Sequence, residues 1–171
     1  MIRNETIDTI LSRRSVRKYS ADPISKDETA ALLKCAGFAP SGLNNQPWRF
    51  AVIEDEEIGR QLSMLTHYSD IIASAPVLIA VFLETSSSYH REKDLMAIGA
   101  CIQNILLAAH SMGIGTVWLG EILKNKEKVS EILKTPDNFE LMAVIAAGRS
   151  NEFSPGTADR KSPDETTFKI E

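Results

Sequence analysis

The chain has 171 residues, 43% hydrophobic and 25% charged, a balance that argues against global disorder and suits one domain around a single core. A formal net charge of −4 argues against nucleic acid or an anionic membrane as the main partner, because both require a broad positive field. The longest apolar runs, such as those ending at Leu83 and Ala147, fall short of the ~20 residues of a membrane helix, and the polar Met1–Glu5 stretch lacks a signal peptide's apolar core, so a cytoplasmic protein is expected.

Asn4 can cap a first helix carrying Ile7, Ile10 and Leu11, which delivers the chain to Ser12-Arg13-Arg14-Ser15-Val16-Arg17-Lys18-Tyr19. Ser25 and Glu28 have the spacing of a capping box and start a second helix through Leu32, Leu33 and Ala36, which Gly37 and Pro40 stop. Turn-formers then mark Ala39 to Trp48 as a loop, and Arg49 to Ile53 reads as a strand. Ile58, Leu62 and Leu65 predict a short helix, and Val77 to Leu83 a strand buried on both faces. From Glu92 to Gly113 apolar residues recur at three or four with small residues between them, giving a helix that needs cover on nearly all sides, partly from a second subunit. Thr116 to Gly120 predicts a strand, Lys124 to Lys134 a weaker helix, and Leu141 to Ala147 the last core strand. Beyond Gly148 the chain turns polar, with Phe153, Phe168 and Ile170 as apolar anchors, and 149–171 reads as a loose end or a strap laid over a partner. The elements sum to an α+β domain with helices covering a mixed sheet.

Cys35 and Cys101 have no CxxC and no histidine at ligand spacing, so no metal or thioredoxin-type centre is written; both fall in helical apolar patterns and are expected in the core. The basic cluster admits two readings. Its arginine forks suit phosphate oxygens, with Ser15 as a neutral donor, or its cations complement the negative end of a solvated helix. Gly113-Ile114-Gly115 lacks the third glycine of GxGxxG and precedes a strand, and neither GxxxxGK[ST] nor GxSxG is present.

The cluster Arg13-Arg14-Ser15-Val16-Arg17-Lys18-Tyr19, followed by Ala39-Pro40-Ser41-Gly42-Leu43-Asn44-Asn45-Gln46-Pro47-Trp48-Arg49-Phe50, resembles the nitroreductase family of FMN-dependent oxidoreductases. The resemblance continues through the central small-residue helix, Gly113 to Gly120, Ala147-Gly148 and Asp159 to Glu165, nearly the whole chain. It implies a three-layer, mainly antiparallel fold, an intertwined homodimer with FMN at the interface, and NADH or NADPH as electron donor. By that analogy Arg13 and Arg160 hold the FMN phosphate with Lys161 nearby, Arg14 and Ser15 meet the phosphate or ribityl region, and Arg17 reaches the pyrimidine edge. Pro40, Ser41, Gly42 and Asn44 pack on the same flavin from the other subunit, and backbone around Trp118, Leu119 and Gly120 meets the ring near N5; Trp118 is otherwise expected in the core.

Two departures stand out. Larger members carry an Asn and a Lys just before the second core strand, where His67 and Asp70 are the counterparts here, an acid in place of a base. The connection between Leu83 and Lys93 is also short where larger members insert helices that wall the pocket, so a more open site is expected. The implied activity is hydride transfer from NAD(P)H through FMN to a nitroaromatic, quinone or similar acceptor. The alternatives are FMN storage or other flavin chemistry, such as dehalogenation or heterocycle oxidation, and a non-enzymatic anion- or protein-binding module.

Overall fold

A strand apolar at every position must be covered on both faces, and the run ending at Leu83 meets that demand as β2 (Val77–Glu84), buried from Val77 through Leu83. In the computed structural model, which describes residues 2–151 and 159–168, β2 lies inside a four-stranded sheet. It pairs with β1 (Trp48–Ile53) and β4 (Phe139–Gly148), and β3 (Gly115–Leu119) pairs with β4 at the far edge, giving the order β1-β2-β4-β3. Every ladder is antiparallel. The parallel component of the expected mixed sheet is, among the described residues, one bridge between Ser15 and Thr116.

Alternation sends Val77, Ile79, Val81 and Leu83 to one face and Leu78, Ala80 and Phe82 to the other. On β4 the parity switches, because Ala143 and Ile145 share the face of Ile79 whereas Leu141 lies with Phe82. A bulge at Met142 causes the switch, the pairing stepping from Val81 with Ala143 to Phe82 with Leu141. Leu32 and Ala36 of α2 (Lys26–Gly37) and Ile98, Cys101, Ile102 and Ile105 of α5 (Arg91–Ser111) cover the first face. Leu62 of α3 (Glu56–Ser63), Ile72 of α4 (Ser69–Ser74) and Val129 of α6 (Lys126–Leu133) cover the second. The result is the expected three-layer α+β architecture.

The capping signals act as read. The Asn4 side chain accepts from the Ile7 N–H and opens α1 (Glu5–Ser12), and Ser25 and Glu28 cap α2 reciprocally. Cys101 is in the core, but Cys35 is exposed. The buried stripe of α2 runs through Thr29, Leu32 and Ala36, which leaves position 35 roughly 90° around the helix.

By length and composition alone α5 is long and apolar enough to cross a membrane. Unbroken apolar runs miss this because charged and polar residues are dispersed among its small and branched ones. Its inner side packs on the sheet and α2, while Leu95 and Met96 stay exposed beside half-buried Gly99, Ala100 and Leu107. The cover predicted for this helix is therefore incomplete within one chain. In the expected strap, residues 152–158 and 169–171, with Phe153 and Ile170, lie outside the described residues; α7 (Pro163–Thr166) and its neighbours from 159 to 168 are exposed, Phe168 at 88%.

Candidate functional site

The basic segment does not continue α1. Arg13 to Tyr19 runs along the edge of β3, where the Val16 N–H donates to the Thr116 carbonyl at 2.9 Å. Two glycines make room for its apolar residues. A Cβ on Gly115 would come 2.7 Å from Val16 Cγ1, and one on Gly148 would come 2.7 Å from Tyr19 Cδ1. The Tyr19 hydroxyl donates to the Val16 carbonyl at 2.8 Å, with the Ala146 carbonyl 3.1 Å away. Burial pushes its phenol well up, against the opposing influence of Arg17. The segment is thus anchored by Val16 and Tyr19, and its cations lie outward or half-buried rather than on a solvated helix end. Arg14 does what that simpler reading predicts, donating from Nη1 to the Leu11 carbonyl at the end of α1 and to the Arg13 carbonyl, both at 2.8 Å.

Arg13 is half-buried, and burial, then Arg160, then Arg14 draw its pKa down. The fold therefore brings Arg13, Arg14 and Arg160 within electrostatic reach across very different sequence positions. Among the described residues no carboxylate pairs with Arg13, Arg17, Arg160 or Lys161. Like charges held this close repel, and an anion placed among them relieves that cost. His110, which sequence reading left unassigned, belongs to this corner. Its Nε2 lies 2.8 Å from Ser12 Oγ, and burial, then Arg13 and Arg14, lower its pKa. Nothing in the spacing of the three histidines marks it; only the fold does.

Two residues past the Ser15–Thr116 bridge on either segment stand Arg17 and Trp118, so the register carries the cations toward the end of β3. Trp118 is 42% exposed and is not a core residue. Val117 and Leu119 enter the core beneath α6, so alternation turns Trp118 to the opposite face, which is left open at this edge strand. The Leu119 side chain is buried and Gly120 is exposed, so this stretch offers backbone and the indole. Next to it Glu121 accepts from Thr66 Oγ1 at 2.6 Å and the His67 N–H at 3.2 Å, with Lys124 Nζ at 3.0 Å, contacts that hold its carboxyl down at about 2. His67 is thereby fixed beside the end of β3, while Asp70 lies in the first turn of α4.

The Pro-Ser-Gly loop is elsewhere. Pro40 is exposed, Ser41 Oγ accepts from the Gln46 N–H at 3.1 Å, and Gly42–Asn44 forms a single 3-10 turn. Leu43, Asn44 and Gln46 adopt φ of 55°, 54° and 46°, left-handed conformations that cost about 1–3 kcal/mol each when the surroundings impose them. The restraint comes from Asp94 in the first turn of α5, which is fully buried. Asn45 Nδ2 donates to Asp94 Oδ1 at 2.8 Å and to the Ser87 carbonyl at 3.2 Å, and the other carboxylate oxygen accepts from Ser88 Oγ, the Tyr89 N–H and the His90 N–H. Burial pushes the Asp94 carboxyl up, but these hydrogen bonds together outweigh it and hold it below the usual range. Tyr89 closes the arrangement, its hydroxyl oxygen only 1.7 Å from where a Cβ on Gly42 would stand.

Asp94 and His110 are 16 positions apart on α5, about 24 Å along its axis at 1.5 Å per residue. Within one chain the cation cluster and the Pro-Ser-Gly loop thus occupy opposite ends of the helix.

The nitroreductase family model matches residues 10–67 and 58–149. A crystal structure of a Desulfovibrio desulfuricans protein, assigned as a nitroreductase and solved in complex with FMN, is 37% identical, matches with a TM-score of 0.93 and covers 99% of each chain. An Archaeoglobus fulgidus protein assigned as an NADH dehydrogenase/NAD(P)H nitroreductase is 34% identical over 84% of this chain and 84% of its own. The iodotyrosine deiodinase of Thermotoga neapolitana is 28% identical over 86% of this chain and 90% of its own. With the anchored basic segment, the restrained loop and the three-layer sheet all inside the matched residues, the chain belongs to the nitroreductase family.

Proposed function

We propose that this chain is a single-domain, cytoplasmic, FMN-dependent NAD(P)H oxidoreductase that acts as a homodimer. The observation that carries the reading is the corner where Arg13, Arg14 and Arg160 are held together with, among the described residues, no carboxylate paired to Arg13 or Arg160. Those residues fit a phosphate monoester, and the exposed Trp118 and the backbone to Gly120, farther along the strand edge past the Ser15–Thr116 bridge, fit a flat aromatic ring system. The chemistry that FMN supplies when bound is acceptance of a hydride at N5 from NADH or NADPH and its return, in a second half-reaction, to a nitroaromatic, quinone or similar acceptor.

The protein's own part is binding and electrostatics. Arg13 and Arg160, with Lys161, grip the phosphate, and Arg14 and Ser15 meet the phosphate or ribityl chain. Arg17 sets a permanent positive charge at the pyrimidine edge, which favours the reduced form of the cofactor. Backbone at Trp118, Leu119 and Gly120 orients the ring at N5. No side chain is required as nucleophile.

The length of α5 supports dimerisation. The Pro40, Ser41, Gly42 and Asn44 end and the Arg13 end are too far apart in one chain to meet the same FMN. A two-fold axis near the middle of α5 reverses the partner helix and brings one subunit's loop to the other's cations. Exposed Met96 and half-buried Gly99, Ala100 and Leu107 give that helix an uncovered side where such packing can occur.

The test is the visible spectrum of purified protein before and after anaerobic addition of NADH and NADPH. Bound FMN bleached by either donor supports the proposal; a colourless protein that takes up no added FMN ends it. The short connection between β2 and α5, through Tyr89, supports a second reading, other flavin chemistry such as dehalogenation, as in the deiodinase relative, heterocycle oxidation or FMN storage. FMN held tightly yet not reduced by either nicotinamide within seconds selects that reading.

A further inference from the structure

The Pro-Ser-Gly loop is built in a conformation that its sequence resists, and one buried carboxylate holds it there. Leu43, Asn44 and Gln46 all sit in the left-handed region, where residues with a Cβ are disfavoured. Asn45, between them, reaches inward and donates from Nδ2 to Asp94 Oδ1 and to the Ser87 carbonyl, so its amide orientation is fixed. Its own Oδ1 is left buried with no hydrogen-bond partner. A chain built only for stability gains nothing from a strained loop tied down by a half-satisfied amide; such features belong where a conformation is held for use. The tie also joins the loop to the short connector, because the same carboxylate gathers Ser88, Tyr89 and His90, and Tyr89 fills the space beside Gly42.

We infer that Asp94 is a positioning residue for the flavin ring: through Asn45 it holds the 40–46 loop in the shape presented to the cofactor at the partner subunit's cation cluster. The inference rests on the reading of this loop as a flavin contact. Asp94 is itself fully buried and acts only through the groups it holds. Its two oxygens divide the work, Oδ1 to the loop and Oδ2 to the connector. An asparagine at 94 keeps one acceptor oxygen, which the three connector donors claim, and turns an NH2 toward the NH2 of Asn45. Asp94→Asn therefore releases the loop while largely preserving the connector. Asn45→Ala releases the loop from the other side and leaves the carboxylate with its connector bonds.

The experiment titrates full-length apoprotein of wild type, Asp94→Asn and Asn45→Ala with FMN and with riboflavin, which lacks the phosphate. Flavin fluorescence reports affinity, the visible circular dichroism of bound flavin reports the ring environment, and apoprotein melting establishes that each variant is folded. If the bound-competent loop falls to about a tenth of the population, both flavins bind roughly tenfold more weakly, their affinity ratio stays at the wild-type value, and the visible dichroism changes. A folded variant that binds both flavins within about twofold of wild type, with the wild-type dichroic band, overturns the inference. So does a loss confined to FMN, which would locate the effect at the phosphate. Should Asp94→Asn not fold, Asn45→Ala decides alone. Wild type that binds neither flavin removes the cofactor reading itself, and this inference with it, a result distinct from wild-type binding that both variants retain.

Discussion

Replacing Arg13 by alanine separates the two jobs a half-buried cation could have. Arg13 is half-buried, pairs with no carboxylate among the described residues, and is repelled by Arg160 and Arg14. In the free chain it is therefore a cost, and in the complex it is a charged donor to phosphate. A hydrogen bond to a charged group contributes about 1.5–3 kcal/mol, so Arg13→Ala should weaken FMN binding about 10- to 150-fold. The same substitution removes two like-charge repulsions, so the apoprotein should melt no lower than wild type, and the loss of stabilisation should appear only with FMN present. Riboflavin affinity should be nearly unchanged. The assay is fluorescence titration with both flavins at two salt concentrations, since a phosphate contact made by charge weakens as salt rises. Unchanged FMN affinity, or an equal loss for riboflavin, would refute the assignment of Arg13 to phosphate. An apoprotein that melts markedly lower would show that Arg13 serves the fold instead.

Three further outcomes follow from the contacts. Gly148→Ala forces a Cβ within 2.7 Å of both Pro76 Cδ and the Tyr19 ring, and overpacking of this kind costs about 1–3 kcal/mol, read as a lower denaturation midpoint; wild-type stability would mean that the Tyr19 clamp is loose. Glu121 is held at about 2 against an ordinary 4.5, so its contribution to stability is complete above about 4.5 and is lost as pH falls from there toward 2. Glu121→Gln should flatten that acid limb of the melting curve, and an unaltered limb would remove Glu121 as its source. Burial pushes the Cys101 thiol to about 12, so a thiol reagent should leave it unlabelled in native protein and label it on unfolding; rapid native labelling would contradict its place in the core.

What the sequence made legible was local. Asn4, Ser25 and Glu28 act within a few residues, so their spacing states their contacts, and β2 is apolar at every position, so its double burial follows from composition alone. α4 escaped because six residues without a side-chain cap carry too little periodicity to register, and the fate of Trp118 depends on which elements stop short of an edge strand. Cys35 failed for a related reason, since on a helix one step in register separates the core stripe from the flank. The candidate site was harder still, because its parts are made equivalent or distinct only by the fold. In sequence Arg13, Arg14 and Arg17 are three neighbouring cations. In space Val16 and Tyr19 pin the backbone between and beyond them, which sets Arg14 on the helix end, Arg13 within electrostatic reach of Arg160, and Arg17 level with Trp118. The residues that create this division are the two glycines opposite them, Gly115 and Gly148, which carry no chemistry of their own and would pass in any sequence reading as strand ends. The specificity of the cation cluster is thus stored partly in side chains that are absent, and that is information a motif of arginines cannot contain.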